Sequence, residues 1–433
     1  MTTQTSTTAA AAPSSPGHPS LWRNRNFLTL WSGQIVSSLG SRMTATAMPL
    51  LVLALTGSAT DAGVVGAVSA LPYLLSLPAG TLVDRWNLRR ILFWSELAAG
   101  LALAGIPIAL SFHALTVAQI AATGFVVSWG TVFFGLAEHA ALPRIVPSHQ
   151  FGAAVAQNEA KSRGAVLVGP PLGGALFGIG RALPFLFDVV TYLASAVSLL
   201  FVRGDFQGQG GERVSARSLL RDTGEGLRWV WQNNFGRAAV SLVGASNAVF
   251  QALVLVLVVT TQRHGASPAE IGLMLGIYGG GGLVGALVAG RVYRYFPPKS
   301  VIIGINWVWA ALLPLMLLTQ NPALLGLIGG ATAFLGPLWN VVMLQYQLFV
   351  VPGHMLGRVG GAVQTIVSGT APLASLGAGL LLAATGPRES MLTLAAVMAV
   401  IAIAGTLSPA IRHAPELPSA TAQPQAPDDA EQS

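Results

Sequence analysis

The side chains able to do chemistry are few and unevenly placed. Asp84, Arg85, Arg89 and Arg90 fall within seven positions of the stretch AGTLVDRWNLRR, between long apolar runs. A carboxylate beside three guanidinium groups makes ion pairs and helix caps, not bond-breaking chemistry. A second set lies inside or at the ends of the apolar runs. An ionisable group at membrane depth costs several kcal/mol, so each is a site candidate by default. Arg42 suits an anionic group of a substrate or a carboxylate partner. Asp188 and Glu138 are candidates for carrying a proton, with hydrogen-bonded helix packing the alternative for Asp188. Glu138 and His139, with Glu159, Lys161 and Arg163, read as an inner salt-bridge cluster, and Glu96 as a partner of the loop arginines. The chain has no cysteine, no metal-ligand spacing accompanies His139, and no Gly-x-x-x-x-Gly-Lys-Ser/Thr loop is present. No catalytic constellation appears, so neither an enzyme nor a cofactor nor a metal is expected.

These side chains must be positioned by elements that are mostly apolar. The 433 residues are 53% hydrophobic and 9% charged, against about a quarter charged in soluble domains. Runs of about 20 apolar residues cross a bilayer. Such runs fall at 27–53, 62–82, 91–111, 115–137, 160–180, 183–202, 238–261, 268–290, 300–319, 322–348, 359–384 and 389–410. The expected fold class is an all-α membrane protein of twelve transmembrane helices in two six-helix halves, 27–202 and 238–411. Residues 1–26 and 412–433 read as disordered cytoplasmic tails rich in Ser, Thr, Ala and Pro, and the first of them lacks the pattern of a signal peptide. The middle loop, 203–237, contains SLLRDTGEGLRWVWQNN, expected as an amphipathic surface helix with Leu, Trp and Val on one side. With both termini inside, 19 of the 23 Lys and Arg fall on the cytoplasmic side, as the positive-inside rule requires. The net charge of +7 is thereby a matter of topology, and no nucleic-acid partner is expected.

The halves repeat each other. AGTLVDRWNLRRI from Ala79 matches AGRVYRYFPPKSV from Ala289, and VPSHQFG from Val146 matches VPGHMLG from Val351. The offsets, 210 and 205, are nearly equal. Duplicated halves facing each other across a cavity are a transporter architecture.

GTLVDRWNLRR resembles the cytoplasmic loop motif of the major facilitator superfamily, Gly-x-Leu-Ala-Asp-Arg-x-Gly-Arg-Arg/Lys. Gly80, Leu82, Asp84, Arg85 and Arg89 match, while Asn87 stands where Gly is usual and tolerates a left-handed turn, and Leu88 stands where Arg is usual. The resemblance implies the major facilitator fold and a gating role for Gly80, Asp84, Arg85, Arg89 and Arg90, with Asp84 latching the inner gate to the other half. The second copy carries Arg294 at the Asp position, so the latch is expected to be asymmetric. GPPLGG resembles the fifth-helix motif of the exporter branch, through Gly169, Pro170, Gly173 and Gly174. NRNF, SSLG, PLLVLALTGS and LPRIVP resemble the subfamily of the enterobactin exporter and the macrolide efflux proteins, with Ser41 and Arg42 where an acid often follows SSLG. In the superfamily the first, fourth, seventh and tenth helices line the cavity, which nominates Gln34, Ser38, Arg42, Trp129, Asn247, Gln251, Trp339, Asn340 and Gln345. The resemblance implies a proton-coupled exporter, an antiporter of a drug, siderophore or other amphipathic metabolite, monomeric in the plasma membrane. Its partners are the small-molecule substrate, protons and the lipid bilayer. The alternatives are an uptake symporter and a non-transporting sensor.

Overall fold

The structure is a computed structural model describing residues 21–202, 216–292 and 298–413. Its elements are α1 (Arg25–Thr56), α2 (Ala59–Ala70), α3 (Ser76–Arg85), α4 (Leu88–Ser111), α5 (Val117–Ile145), α6 (Phe151–Ile179), α7 (Leu183–Phe201), α8 (Ala216–Gln232), α9 (Asn234–Arg263), α10 (Pro268–Val292), α11 (Pro298–Leu315), α12 (Pro322–Val350), α13 (Leu356–Thr385) and α14 (Pro387–Leu407). Counting α2 and α3 as one interrupted rod, six rods precede α8 and six follow it. Ten of the described helices are long and apolar enough to cross a membrane unaided. Side chains such as Trp94, Leu101, Val190, Leu287 and Leu373 are more than 60% exposed on the outside, a surface that suits lipid and not water. The tails, the first part of the middle loop and Arg294 lie outside the described residues.

Every expected span contains one rod, with three differences. The second span is broken: a 3-10 turn at Leu71–Leu75 separates α2 from α3. Pro72 sits in the first positions of that turn and has no N–H to continue the helix. The fourth and fifth spans are longer than their apolar cores, because α5 runs on to Ile145 and α6 starts at Phe151. Glu138, His139, Glu159, Lys161 and Arg163 are therefore six residues or more inside helices, not at helix ends. Charges end a hydropathy run, yet a helix continues through them when they neutralise one another.

The duplication is visible in local geometry. Asn24 caps α1 by accepting from the Phe27 N–H at 3.2 Å, and its amide donates to the Ile145 carbonyl at 2.8 Å. Asn233 caps α9 by accepting from Gly236 N–H at 2.8 Å and from the Tyr346 hydroxyl at 2.7 Å. Each cap ties the first rod of its half to the fourth. Val146 and Pro147 are extended and lead through a 3-10 turn, Ser148–Gln150, into α6. Val351 and Pro352 lead in the same way through Gly353–Met355 into α13. The face carrying residues 25 and 407 is called the terminal face below, and the opposite one the far face.

α8 lies across the terminal-face end of α13. Gly226 meets the Arg358 backbone with no room for a Cβ. Glu225 accepts from Arg221 at 2.8 Å and from Arg358 at 2.7 Å. Val230 is buried, but Leu227 and Trp231 are exposed, so the expected apolar side is split between two faces. Arg221 hydrogen bonding, with the Arg358 charge beside it, holds the Glu225 carboxyl below its ordinary value. A depressed carboxyl stabilises docking above the ordinary glutamate range and loses that contribution as pH falls through the folded value. Protection of residues 221–232 against hydrogen exchange, taken relative to the intrinsic rate at each pH, should therefore fall on acidification below that range, and in high salt at neutral pH; pH-independent protection would contradict the tie.

Glycines set the closest contacts within the second half. A Cβ on Gly281 would collide with the Gly330 backbone, and one on Gly285 with the Phe334 backbone, both on α12, whereas Gly290 faces open space. Gly285→Val should lower the melting temperature in detergent markedly. Gly290→Ala should leave it equal or higher, because alanine is the better helix former by about 0.5–1 kcal/mol.

Candidate functional site: a central cavity open to one face

A cavity of about 720 Å³ lies between the halves. The first half supplies its polar wall: Gln34, Ser37, Ser38, Ser41 and Arg42 from α1, Glu96 from α4, Glu138 and His139 from α5, Lys161 from α6. The second half supplies Gln251, Val254, Leu255 and Val258 from α9 and Ala371 and Ser375 from α13. The cavity extends towards the terminal face through His139, Val155 and Glu159, which are all exposed.

At the far face two glycine pairs bring the halves together. Gly63 of α2 meets Gly379 of α13, where a Cβ on Gly63 would stand 2.7 Å from the Ser375 carbonyl and 2.8 Å from Gly379 Cα. Gly272 of α10 meets Gly174 of α6, where a Cβ on Gly272 would stand 3.0 Å from Gly174 Cα. The pairs are repeats of one another: 63 to 272 is an offset of 209, and 174 to 379 an offset of 205. Small residues permit this backbone approach, and dispersion replaces the hydrophobic effect as the attraction. The fifth-helix motif thus has two jobs. Gly169 and Gly173 receive Arg42 and Met43 of α1 within the first half, and Gly174 receives α10 of the second. Pro170 contributes its carbonyl to the contact with Gly272.

The charged residues are placed as follows. Lys161 Nζ bonds Glu138 Oε1 at 2.9 Å, Asn158 adds a bond to the same oxygen, and Arg163 pairs with Glu159 at 2.7 Å. The expected inner cluster is thus two separate ion pairs; Glu138, His139, Glu159 and Lys161 line the cavity and Arg163 does not. Arg42 lines the cavity, exposed, and no described carboxylate pairs with it. Asp188 is fully buried, off the cavity, accepting from Thr44 at 2.6 Å and Thr191 at 3.1 Å. Gly40, the glycine of SSLG, gives α7 its room there, since a Cβ would strike Asp188 and Thr191. Glu96 does not pair with the loop arginines. Its carboxylate accepts from Gln34 at 3.1 Å and Ser37 at 3.2 Å.

Of the other residues nominated for the cavity, Gln34, Ser38 and Gln251 line it and the rest do not. Trp129 stacks between Phe125 and Phe133, 39% exposed. Asn247 donates to the Val367 carbonyl and to Thr370, tying α9 to α13. Trp339 is buried against Trp309, and Asn340 is exposed elsewhere. One face of each helix meets the cavity, and a hydropathy run does not say which.

In the loop motif, Asn87 is extended, not left-handed, and caps α4 by accepting from Arg90 N–H at 3.2 Å. Arg89 donates to the Leu199 carbonyl at 3.0 Å and to the Leu200 carbonyl, at the C-terminal end of α7. It satisfies carbonyls that the helix leaves open and places positive charge at the negative end of its dipole. This arginine braces its own half. Gly80 meets nothing that a Cβ would touch, Arg85 and Arg90 are exposed, and the Asp84 side chain lies outside the described residues.

Two duplicated halves, a cavity open to one face and a closed far face decide the class when set beside sequence comparison. Residues 17–430 match the profile of the transmembrane secretion effectors. The chain belongs to that family, within the major facilitator superfamily. Multidrug efflux pump Tap of Mycolicibacterium fortuitum is 27% identical over 88% of this chain and 94% of its own. Macrolide efflux protein A of Streptococcus pyogenes is 25% identical over 66% of this chain and 73% of its own. Among solved structures, a bacterial homologue of the iron transporter ferroportin in an inward-facing state superposes with a TM-score of 0.69 at 13% identity, over 90% of this chain and 99% of its own. As a member of a transporter family, this membrane protein is not an enzyme.

Breaking the Glu138–Lys161 pair from one side leaves a half-enclosed charge. Lys161→Ala should cost about 3–5 kcal/mol of stability, while Lys161→Met with Glu138→Leu should recover most of it. Equal melting temperatures for the single and double variants would contradict this.

Proposed function

We propose that this transmembrane secretion effector exports small amphipathic molecules, drugs or siderophore-type secondary metabolites, from the cytoplasm in exchange for protons. One observation carries the reading: the cavity between the halves has a polar, charged wall from one half and a largely apolar wall from the other, and it reaches the terminal face through His139, Val155 and Glu159. Such a cavity takes a ligand with an apolar body and a polar head. The lysine- and arginine-rich loops put both termini, and with them the open face, in the cytoplasm of a plasma-membrane protein. The full-length likeness to a multidrug efflux pump and the shorter one to a macrolide efflux protein support export over uptake. Both halves build the cavity within one chain, so a monomer suffices.

Alternating access follows from the contacts. Separation of the glycine pairs opens the far face while the terminal face closes around the loop motif, where α3 meets α8 and α13. Asp84 and Arg85 are the residues assigned to the latch in that second state. Arg42, a cavity cation with no carboxylate partner among the described residues, holds the polar head of the substrate.

The test is accumulation of a panel of fluorescent drugs, siderophores and a macrolide in efflux-deficient cells with and without the protein. Lower accumulation, restored by a protonophore, is the expected result; a rise in accumulation would show uptake and sink the export reading. For a transported compound, Arg42→Ala should weaken half-saturation about tenfold or more, the loss of a charged hydrogen-bond donor being worth ~1.5–3 kcal/mol. Arg42→Lys should restore part of it.

A further inference from the structure

The Glu96 carboxyl is the one acid of the cavity wall that no cation neutralises among the described residues. It is 4% exposed, and it forms none of the ion pairs of the structure. Among the described residues its oxygens are held by neutral donors, Gln34 Nε2 on Oε1, Ser37 Oγ on Oε2 and the Ser195 hydroxyl, which itself accepts from Gln34 at 2.8 Å. The other acids are engaged differently. In the wall Glu138 has Lys161 and Glu159 has Arg163, and Asp188 is shut away from the cavity beneath Thr44.

The duplicated half supplies the control. α11 is the counterpart of α4, and Glu96 maps at an offset of 210 onto Asn306, which is completely buried. Ser37 maps at 209 onto Ser246, and Ser246 Oγ lies 3.3 Å from Asn306 Oδ1. The same serine tie between the first and third rods is thus made twice, once to an amide and once to an acid. The amide copy does not line the cavity; the acid copy does. Packing is therefore satisfied by an amide, which costs less to bury than a carboxylate. What the acid adds is a titratable proton in the cavity wall. Ser37 can serve both forms, because a hydroxyl donates to a carboxylate and accepts from a carboxylic acid.

We propose that Glu96 carries the exchanged proton. This rests on the proton-driven export reading above and names the group that performs it. In the state described here the carboxyl O–H bond breaks, its electron pair stays on the carboxylate, and the proton leaves to water in the cavity. With the far face open the carboxylate takes a proton from the other side. The titratable groups electrostatically coupled to it are Glu138 from α5 and Asp188 and Tyr192 from α7, the tyrosine hydroxyl being held by Ser41 at 2.9 Å, while Arg42, His139, Glu159 and Lys161 line the same cavity.

The chain has no native cysteine, so labels can be placed at will. Gly152→Cys and Gly357→Cys are counterparts at the terminal face of α6 and α13, and a Cβ at either meets nothing within 4 Å. With spin labels at both, the inter-label distance is measured against pH in lipid nanodiscs, alongside infrared pH-difference spectra of the carboxylic C=O stretch. No substrate is needed. The expected wild-type result is a carboxylic band that disappears towards alkaline pH, with a distance change of the same midpoint. Glu96→Gln, which installs the amide of the other half, should fold and lose both. Glu96→Asp should keep both with a displaced midpoint. A Glu96→Gln protein whose distance still follows pH overturns the proposal, as does a Glu96→Asp protein with the wild-type midpoint. Failure of the broader reading looks different: the wild-type distance ignores pH and cellular export ignores a protonophore, which removes the proton from the mechanism altogether.

Discussion

The far-face glycine pairs are the constraint on which the rest of the molecule depends. Two backbones, Gly63 on Gly379 and Gly272 on Gly174, touch where any side chain would intrude. The contacts are local, nearly identical and related by the internal repeat. Lipid offers no hydrophobic drive for joining two helix bundles; close van der Waals approach has to supply it.

From that closure the shape of the cavity follows. α6 is held on one side by α1, through Gly169 and Gly173, and on the other by α10. Since α1 carries Gln34, Ser37 and Arg42, any movement of α6 against α10 is transmitted to the polar wall. The remaining polar side chains serve as braces. Arg89 closes the end of α7, the Asp188 cluster locks α7 to α1, and Asn247 fixes α9 to α13. These ties lie within a half, which lets each half move as a body while the contacts between halves exchange. Chemistry and mechanics are thereby divided: the first half keeps the titratable groups, and the second presents Val254, Leu255 and Val258 as an apolar face.

Much of this was legible in the sequence, for identifiable reasons. Hydropathy located every rod, because lipid demands a length of apolar chain. The repeated VPSHQFG and VPGHMLG exposed the duplication, because each encodes the same extended pair and 3-10 turn. The glycine motif announced close packing, though not that Gly174 faces a different neighbour from Gly169. Pro72 was a signal for the broken second span that hydropathy alone overrode. Facing direction was hidden, since each residue turns a helix by about 100° and a run of apolar neighbours masks which side is wet. Trp129 and Gln34 looked equally eligible, and only one meets the cavity. The surroundings of Glu96 were hidden for another reason: Gln34 and Ser37 are about 60 positions away in the chain, a separation that local pattern does not bridge. Only the counterpart at Asn306, visible at the repeat offset, hinted at its singularity.

The most direct test of this account replaces the contact itself. Gly63→Leu with Gly272→Leu puts bulk into both far-face pairs. Introduced cysteines at Gly152 and Gly357 then report the opposite face by spin-label distance. If the pairs close the far face, the double variant should hold it open, and the terminal-face distance should shorten relative to the parent. A distance distribution unchanged from the parent, in protein that is folded and monodisperse, would show that the glycine contacts do not govern which face is open.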